Sequence, residues 1–228
     1  MREIVLDTET TGLDPIDGHR IIEIGCVELI DYLPTGLTLQ HYLNPERQVG
    51  DSERVHGIAD AFLADKPLFA QIADELLEFL GDSRLIMHNA GFDMKFLNFE
   101  LRRLARPTIP FARAIDTIEI AKAKLPGARY SLDELCRRFG VDLSSRLKHG
   151  ALLDAQLTAQ IYLELVGGRQ TRLQLAPADV TTRIAASEII VMQVRPAPLL
   201  PRLTLDEIAA HIAWVASEIG PEAIWGWG

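Results

Sequence analysis

Apolar residues first fall in a short unbroken run, Ile4-Val5-Leu6, the pattern of a strand buried on both faces. Arg20 to Ile30 reads as a second strand and Thr38 to Leu43 as a third, stopped by Asn44-Pro45. Pro34 and Gly36 mark a turn between them, so the three strands are expected to form an antiparallel meander. From residue 68 the period lengthens. Leu68, Ile72, Leu76, Leu77 and Leu80 lie on one face of an amphipathic helix closed by Gly81. Leu85-Ile86-Met87 is a short strand, and Gly91 to Ala105 is helical again, with Phe92, Phe96, Phe99 and Leu104 as its apolar set. Ala114-Ile115-Asp116 is a last strand. Ser131-Leu132-Asp133-Glu134 is a capping box opening a helix to about Phe139. Leu152 to Val166 is a further helix, ended by Gly167-Gly168. Three strands followed by alternating helices and strands predict an α/β fold, a mixed sheet with helices on both faces.

The pattern changes after Gly168. Pro177, Pro196, Pro198 and Pro201 interrupt it, and one helix candidate remains, Leu205 to Ile219 behind an N-cap Thr204. All three tryptophans, Trp214, Trp225 and Trp227, lie in this stretch. A boundary is expected near residue 168, dividing a domain over 1–168 from a partly extended tail with one helix over 169–228.

With 228 residues, 48% hydrophobic and 24% charged, the chain can bury a sizeable core and reads as globular. No apolar run is long enough to span a bilayer. Met1-Arg2-Glu3 leads directly into the first strand, so no signal peptide and a cytoplasmic (bacterial) location are expected. Cys26 and Cys136 sit in apolar patterns without zinc or redox spacing and are expected to be buried free thiols. The net charge of −9 argues against gripping duplex DNA by a broad basic surface. It does not exclude a nucleic-acid enzyme, because divalent metals invert the local sign of an acidic site. It does imply weak unaided affinity, hence delivery by a partner.

The chemistry starts at the end of the first strand. Asp7 and Glu9 are two apart, so they share a face. Such a buried pair either points into solvent at the strand end, shares a proton, or binds a cation. Hard divalent ions prefer such oxygen ligands. Two later stretches answer it. Asp93 falls in or near the first turn of the helix after His88-Asn89. His149 precedes another helix whose first turn holds Asp154. Residues five apart on a helix differ by roughly 140°, so His149 belongs in the loop before the helix if both are to face one site. Helix N-termini also favour negative charge. Taken singly, each aspartate is more often a cap or solvent residue and His149 more often a surface loop residue. Together they make a hard-metal site with a titratable base.

Asp7-x-Glu9, Asn89-x-x-Phe92-Asp93 and His149-x-Ala151-x-x-Asp154 resemble the three motifs of the DEDD 3′–5′ exonucleases, His-containing branch. With Val55-His56-Gly57-Ile58 and the capping-box helix, residues 1 to about 168 resemble more closely the epsilon family of bacterial DNA polymerase III, its proofreading exonucleases. The resemblance implies a ribonuclease-H-like fold and two-metal hydrolysis at a single-stranded DNA 3′ end. Asp7, Glu9 and Asp154 would ligate Mg²⁺ or Mn²⁺, Asp93 would hold the second ion, and His149 would be the general base. Thr10, Thr11 and Leu13 would line the terminal-nucleotide pocket beside Asp7, Glu9 and Asp154. His56 resembles a substrate contact, or is a turn residue before Gly57. Asp51 falls where that family has a substrate-touching glutamate. In the tail, Gln170, Leu173 and Leu175 resemble a peptide that enters the beta sliding clamp. The segment from about 200 to 228 resembles the one that docks on the DNA polymerase III alpha subunit. A Gln-rich linker is missing. Two other readings are an RNA-processing exonuclease of the same superfamily, which has no use for such a tail, and a polymerase–clamp scaffold, which has no use for five intact catalytic positions.

Overall fold

The first two strands pair along nearly their whole length. In the computed structural model, which describes residues 1–144, 146, 148–167 and 204–218, β1 (Arg2–Thr10) runs antiparallel to β2 (Ile21–Ile30) with Asp7 opposite Gly25 and Glu9 opposite Glu23. β3 (Leu33–Tyr42) continues the meander as an edge strand. The turn between β2 and β3 is not at Pro34 and Gly36, as expected, but at Asp31-Tyr32, where φ is 50° and 65°. A two-residue hairpin loop needs positive φ at both positions to match strand twist. Pro34 then pairs opposite Leu29 within the edge strand, where a missing N–H is tolerated.

The chain continues through two short helical turns, α1 (Glu53–His56) and α2 (Asp60–Leu63), then α3 (Phe69–Leu80), β4 (Arg84–Met87) and α4 (Ala90–Arg103). β5 (Ala114–Asp116), α5 (Thr117–Lys124), α6 (Leu132–Phe139) and α7 (Ala151–Val166) complete this part. The sheet order is β3-β2-β1-β4-β5, with β1, β4 and β5 mutually parallel. The mixed sheet with flanking helices is the fold class expected. α5 was hidden in the sequence by a weak apolar period, and its start is fixed by the Asp116 carboxylate accepting from Ile118 N at 2.8 Å. α4 buries Met94, Phe96, Leu97 and Leu101, whereas Phe92, Phe99 and Leu104 are only half-buried. Asp93 and Glu100 share its buried face and obscure the apolar repeat. Glu100 is paired there by the Arg20 guanidinium at 2.5 and 3.0 Å.

Strand alternation sends the two sides of β1 to different helices. Ile4 and Leu6 pack with α3 and α4 in one core, and Val5 packs with Ala155, Ala159 and Tyr162 of α7 in another. α5, α6 and α7 share a third cluster that encloses Cys136. Both cysteines are free and buried, as expected.

The chain divides into two compact units, Met1–Leu173 and Gln174–Gly228. In the second, α8 (Leu205–Glu218) begins with a capping box in which Thr204 N donates to Glu207 at 2.8 Å and Glu207 N to Thr204 Oγ1 at 3.3 Å. Among the described residues no helix is long and apolar enough to cross a membrane.

The start of α7 lies directly on β2. A Cβ at Gly25 would come within 2.2 Å of the Leu152 backbone nitrogen, so only glycine lets helix and strand backbones approach this closely. Gly25→Ala should therefore destabilise the protein by about 1–3 kcal/mol, the cost of forced overpacking. Urea titration followed by circular dichroism checks this, and a midpoint equal to the parent's would show that α7 is not held by this contact.

Candidate active site

The last residues of β1 form the floor of a cleft of about 570 Å³, whose other walls come from α4, α6 and α7. Asp7 and Glu9 follow Val5 onto the α7 face. Thr8 points the other way and donates from Oγ1 to Asp93 Oδ1 at 2.7 Å, so the strand end reaches helices on both sides of the sheet. Asp93 is buried in the first turn of α4. That turn is set by Asn89, left-handed at φ 74°, and by Asp116, whose carboxylate accepts from Asn89 N and Ala90 N, each at 3.1 Å.

Opposite lies the start of α7. Its N-cap, Gly150, has no side chain to offer, and the cap is supplied from β2 on the same face: Glu23, itself buried, accepts from Ala151 N at 3.0 Å. This fixes the first turn that carries Asp154. The Asp154 carboxylate accepts both arms of the Arg146 guanidinium, Nε to Oδ1 and Nη2 to Oδ2, each at 2.6 Å. His149 Nδ1 lies 3.2 Å from Asp154 Oδ2 and 2.8 Å from Arg146 Nη2. Arg146 also pairs with Asp133 of α6. Glu9, His149 and Asp154 offer ligand atoms that all lie within 4.8 Å of one another.

Burial in the crowded cleft disfavours the ionisation of three of its carboxyls. Burial, then repulsion from Asp93, Asp154, Glu9 and Glu23, holds the Asp7 carboxyl well above the usual range. Burial and the Asp154 charge push Glu9 up to about 8. Burial raises Asp93 to about 7 against the lowering effect of its bond from Thr8. Asp154 goes the other way: burial raises it, but hydrogen bonds from Arg146 and His149 outweigh that and leave it below the usual range. Among the described residues the ion pairs in this cleft fall on Asp154 and Asp133, none on Asp7, Glu9 or Asp93. An oxygen-rich donor set with uncompensated carboxylates fits a hard divalent cation.

The structure thus gathers Asp7, Glu9, Asp93, His149 and Asp154 at one place. Leu13 lines the same cleft and is 84% exposed. Thr10 and Thr11 are buried beside it rather than lining it: Thr10 donates to Gly12 O at 2.6 Å, and Thr11 Oγ1 accepts from Arg20 N at 3.0 Å. His56 is buried, 3.1 Å from Ser52 Oγ and accepting from Ile58 N at 3.0 Å. Asp51 is exposed near Arg54, outside the cleft lining. Gln170, Leu173, Leu175, Ile219, Trp225 and Trp227 lie outside the described residues. Arg146, Glu23 and Asp133 were not anticipated. Arg146 stands three residues before His149, a spacing without meaning in a loop, and Glu23 looks like any polar position of a strand.

The Exonuclease family model matches residues 4–162. The chain belongs to this class of enzymes, for which divalent metal ions are implied. Exonuclease X in complex with 5′ overhanging duplex DNA is 27% identical with a TM-score of 0.57, over 72% of this chain and 91% of that one. The nuclease domain of 3′hExo, a DEDDh family member bound to rAMP, shares the fold at a TM-score of 0.64 and 24% identity, over 73% and 92%. The DNA polymerase III subunit epsilon of Rickettsia felis is 48% identical over 95% of this chain and 96% of that protein. The Escherichia coli subunit is 44% identical over 93% and 91%. The chain belongs to the DNA polymerase III epsilon subunit family.

The raised carboxyls give the metal-free protein a signed pH dependence. Glu9 ordinarily titrates at 4.5 and Asp93 at 3.8, against about 8 and about 7 in the fold. Across that window the native state keeps protons the unfolded chain has lost, so stability falls as pH rises and levels off above about 8. Asp154, lowered, contributes above its ordinary 3.8 and loses that contribution in acid. Melting temperatures in chelator should therefore drop from about pH 5 to about 8 and recover with Mg²⁺ or Mn²⁺. A metal-free melting temperature that climbs over this range would contradict the assignment.

Proposed function

We propose that the chain is the 3′–5′ proofreading exonuclease subunit of a replicative DNA polymerase, removing mismatched nucleotides from a DNA 3′ end by two-metal hydrolysis. The convergence of Asp7, Glu9, Asp93, Asp154 and His149 in one cleft, in a chain of the epsilon family, carries this reading. Asp7, Glu9 and Asp154 would hold one Mg²⁺ or Mn²⁺ and Asp93 would serve the second. Two such ions supply an ionisable bound water and neutralise charge on the leaving oxygen. His149 sits at the cleft with its side chain 47% exposed, where it would meet a water and take its proton. The water oxygen bonds to phosphorus, the bond from phosphorus to the preceding nucleotide's 3′ oxygen breaks, and a nucleoside monophosphate leaves. Leu13 and Phe92, both on the cleft lining, offer apolar surface to the terminal base. Thr10 and Thr11 shape the turn that presents Leu13. His56 holds the loop whose Val55 carbonyl accepts from His149 N at 3.3 Å.

The carboxylate pair and the base separate cleanly by mutation. Asp7→Ala should abolish hydrolysis with the fold intact, since it removes a ligand and relieves repulsion. His149→Ala should lower kcat by about 10²–10⁴. Metal-dependent release of mononucleotides from single-stranded DNA and RNA, measured side by side, tests the reaction and its substrate. Near-parental rates for Asp7→Ala would refute the site, and faster hydrolysis of RNA would favour an RNA-processing role.

The tail supports tethering. At −9 the chain needs help to stay near DNA, and a short flexible link raises effective concentration to roughly millimolar. Residues 1–168 would carry the chemistry, 170–175 the clamp contact and about 200–228 the contact to the polymerase alpha subunit. α8 supplies part of that surface, with Ile212 and Trp214 49% and 55% exposed. Alanine at Gln170, Leu173 and Leu175 should weaken clamp binding without changing hydrolysis of free DNA, and removing residues beyond 200 should abolish co-elution with the alpha subunit. Unchanged clamp affinity or undiminished co-elution in size-exclusion chromatography would refute the corresponding tether.

A further inference from the structure

Among the described residues, Arg146 is the cation that reaches into the acid cluster with both arms of its fork. Its side chain is 8% exposed, and it contacts three groups at once: both oxygens of Asp154 at 2.6 Å, His149 Nδ1 at 2.8 Å, and Asp133. Guanidinium only donates, so each contact uses a lone pair on its partner. Two of those partners need lone pairs for the reaction: Asp154 the same ones, and His149 the same one in the tautomer whose Nδ1 accepts from Arg146. Asp154 must turn carboxylate oxygens toward a divalent ion, and His149 must accept a proton. Nδ1 of His149 also lies between a donor, Arg146 Nη2, and an acceptor, Asp154 Oδ2 at 3.2 Å, and a single ring nitrogen cannot satisfy both.

We propose that Arg146 is a built-in surrogate for the metal: it neutralises Asp154 and parks His149 in the metal-free site, and gives up both when a divalent ion enters. The proposal rests on the metal-dependent reading above and deepens it. A +2 ion at the carboxylates and a +1 fork on the same oxygens repel, and in a cleft with restricted water that repulsion is poorly screened. Arg146 has somewhere to go. Asp133 lies on the same cleft, is 41% exposed in its side chain, and already holds the Nη1 arm. Swinging toward Asp133 keeps the guanidinium paired, so the exchange leaves no buried cation uncompensated. Arg146 is in this sense a positioning residue, acting through Asp154 and His149 and competing with the ion for them.

Competition has a sign that a scaffold role lacks. An arginine that merely braces the loop would, when removed, weaken metal binding. A competitor, when removed, strengthens it. Mn²⁺ is the probe, titrated by calorimetry into the full-length chain and into Arg146→Gln, Arg146→Lys and Asp7→Asn. Arg146→Gln should bind Mn²⁺ at least about fivefold more tightly, the lower end of ordinary coupling between two ligands. It should also melt lower than the parent in chelator, with the gap closing at saturating Mn²⁺. Arg146→Lys, which keeps the charge and loses the fork, should fall between. Unchanged or weaker Mn²⁺ binding by folded Arg146→Gln overturns the proposal. If that variant fails to fold, Arg146→Lys decides, tighter binding supporting it and parental or weaker binding overturning it. Asp7→Asn separates the two readings: parental Mn²⁺ affinity there would mean that the metal site itself is misassigned, whatever the arginine variants do.

Discussion

The close approach of α7 to β2 at Gly25 is the contact on which the site depends. Asp7 and Glu9 are fixed by the pairing of β1 with β2, so any partner for them must be brought to that strand end. With no side chain at Gly25, the start of α7 comes down onto the sheet, and Glu23 supplies the cap that its N-terminal glycine cannot. Asp154 and the preceding His149 are thereby carried over the carboxylate pair. On the other face of β1, Thr8 and Asp93 do the same for α4. The four acids therefore rest on three rigid elements, β1, α4 and α7, with His149 in the loop just before α7, and rigid elements hold geometry best.

The same geometry sets the electrostatics. Packing four acids around one strand end raises three of them and leaves the metal-free fold carrying a local repulsion that the rest of the core must outweigh. Two large apolar clusters, one on each face of the sheet, lie directly beneath the site. The Arg20–Glu100 pair ties the entry of β2 to α4. Strain of this kind concentrates where function needs it, and its relief by a bound cation couples folding stability to metal.

Acidity at the site and acidity of the whole chain have different consequences. Inside the cleft the carboxylates form an oxygen-rich set of the kind that hard divalent cations prefer. The chain as a whole carries a net charge of −9, which argues against a broad basic surface for a nucleic-acid backbone. Relatedness to the epsilon family extends across 95% of the chain, tail included.

Much was legible in the residues alone. Strand and helix periods are local, and they gave the mixed sheet, its flanking helices and the Ser131 cap. The spacing of Asp7 and Glu9 is a property of any strand, and the start of a helix is marked by its own residues, so Asp93 and Asp154 could be placed in first turns. Local rules fail where two locally valid signals compete. Pro34 and Gly36 look like a turn, but pairing with β2 placed the bend at Asp31-Tyr32, and the buried Asp93 and Glu100 disguised which face of α4 is apolar. Contacts between distant segments have no local signature at all. That Gly25 is a place of contact with the start of α7, that Glu23 caps a helix more than a hundred residues away, and that Arg146 joins Asp133 of α6 to Asp154 of α7 were decided by tertiary packing, because only the folded chain brings those atoms within hydrogen-bonding distance.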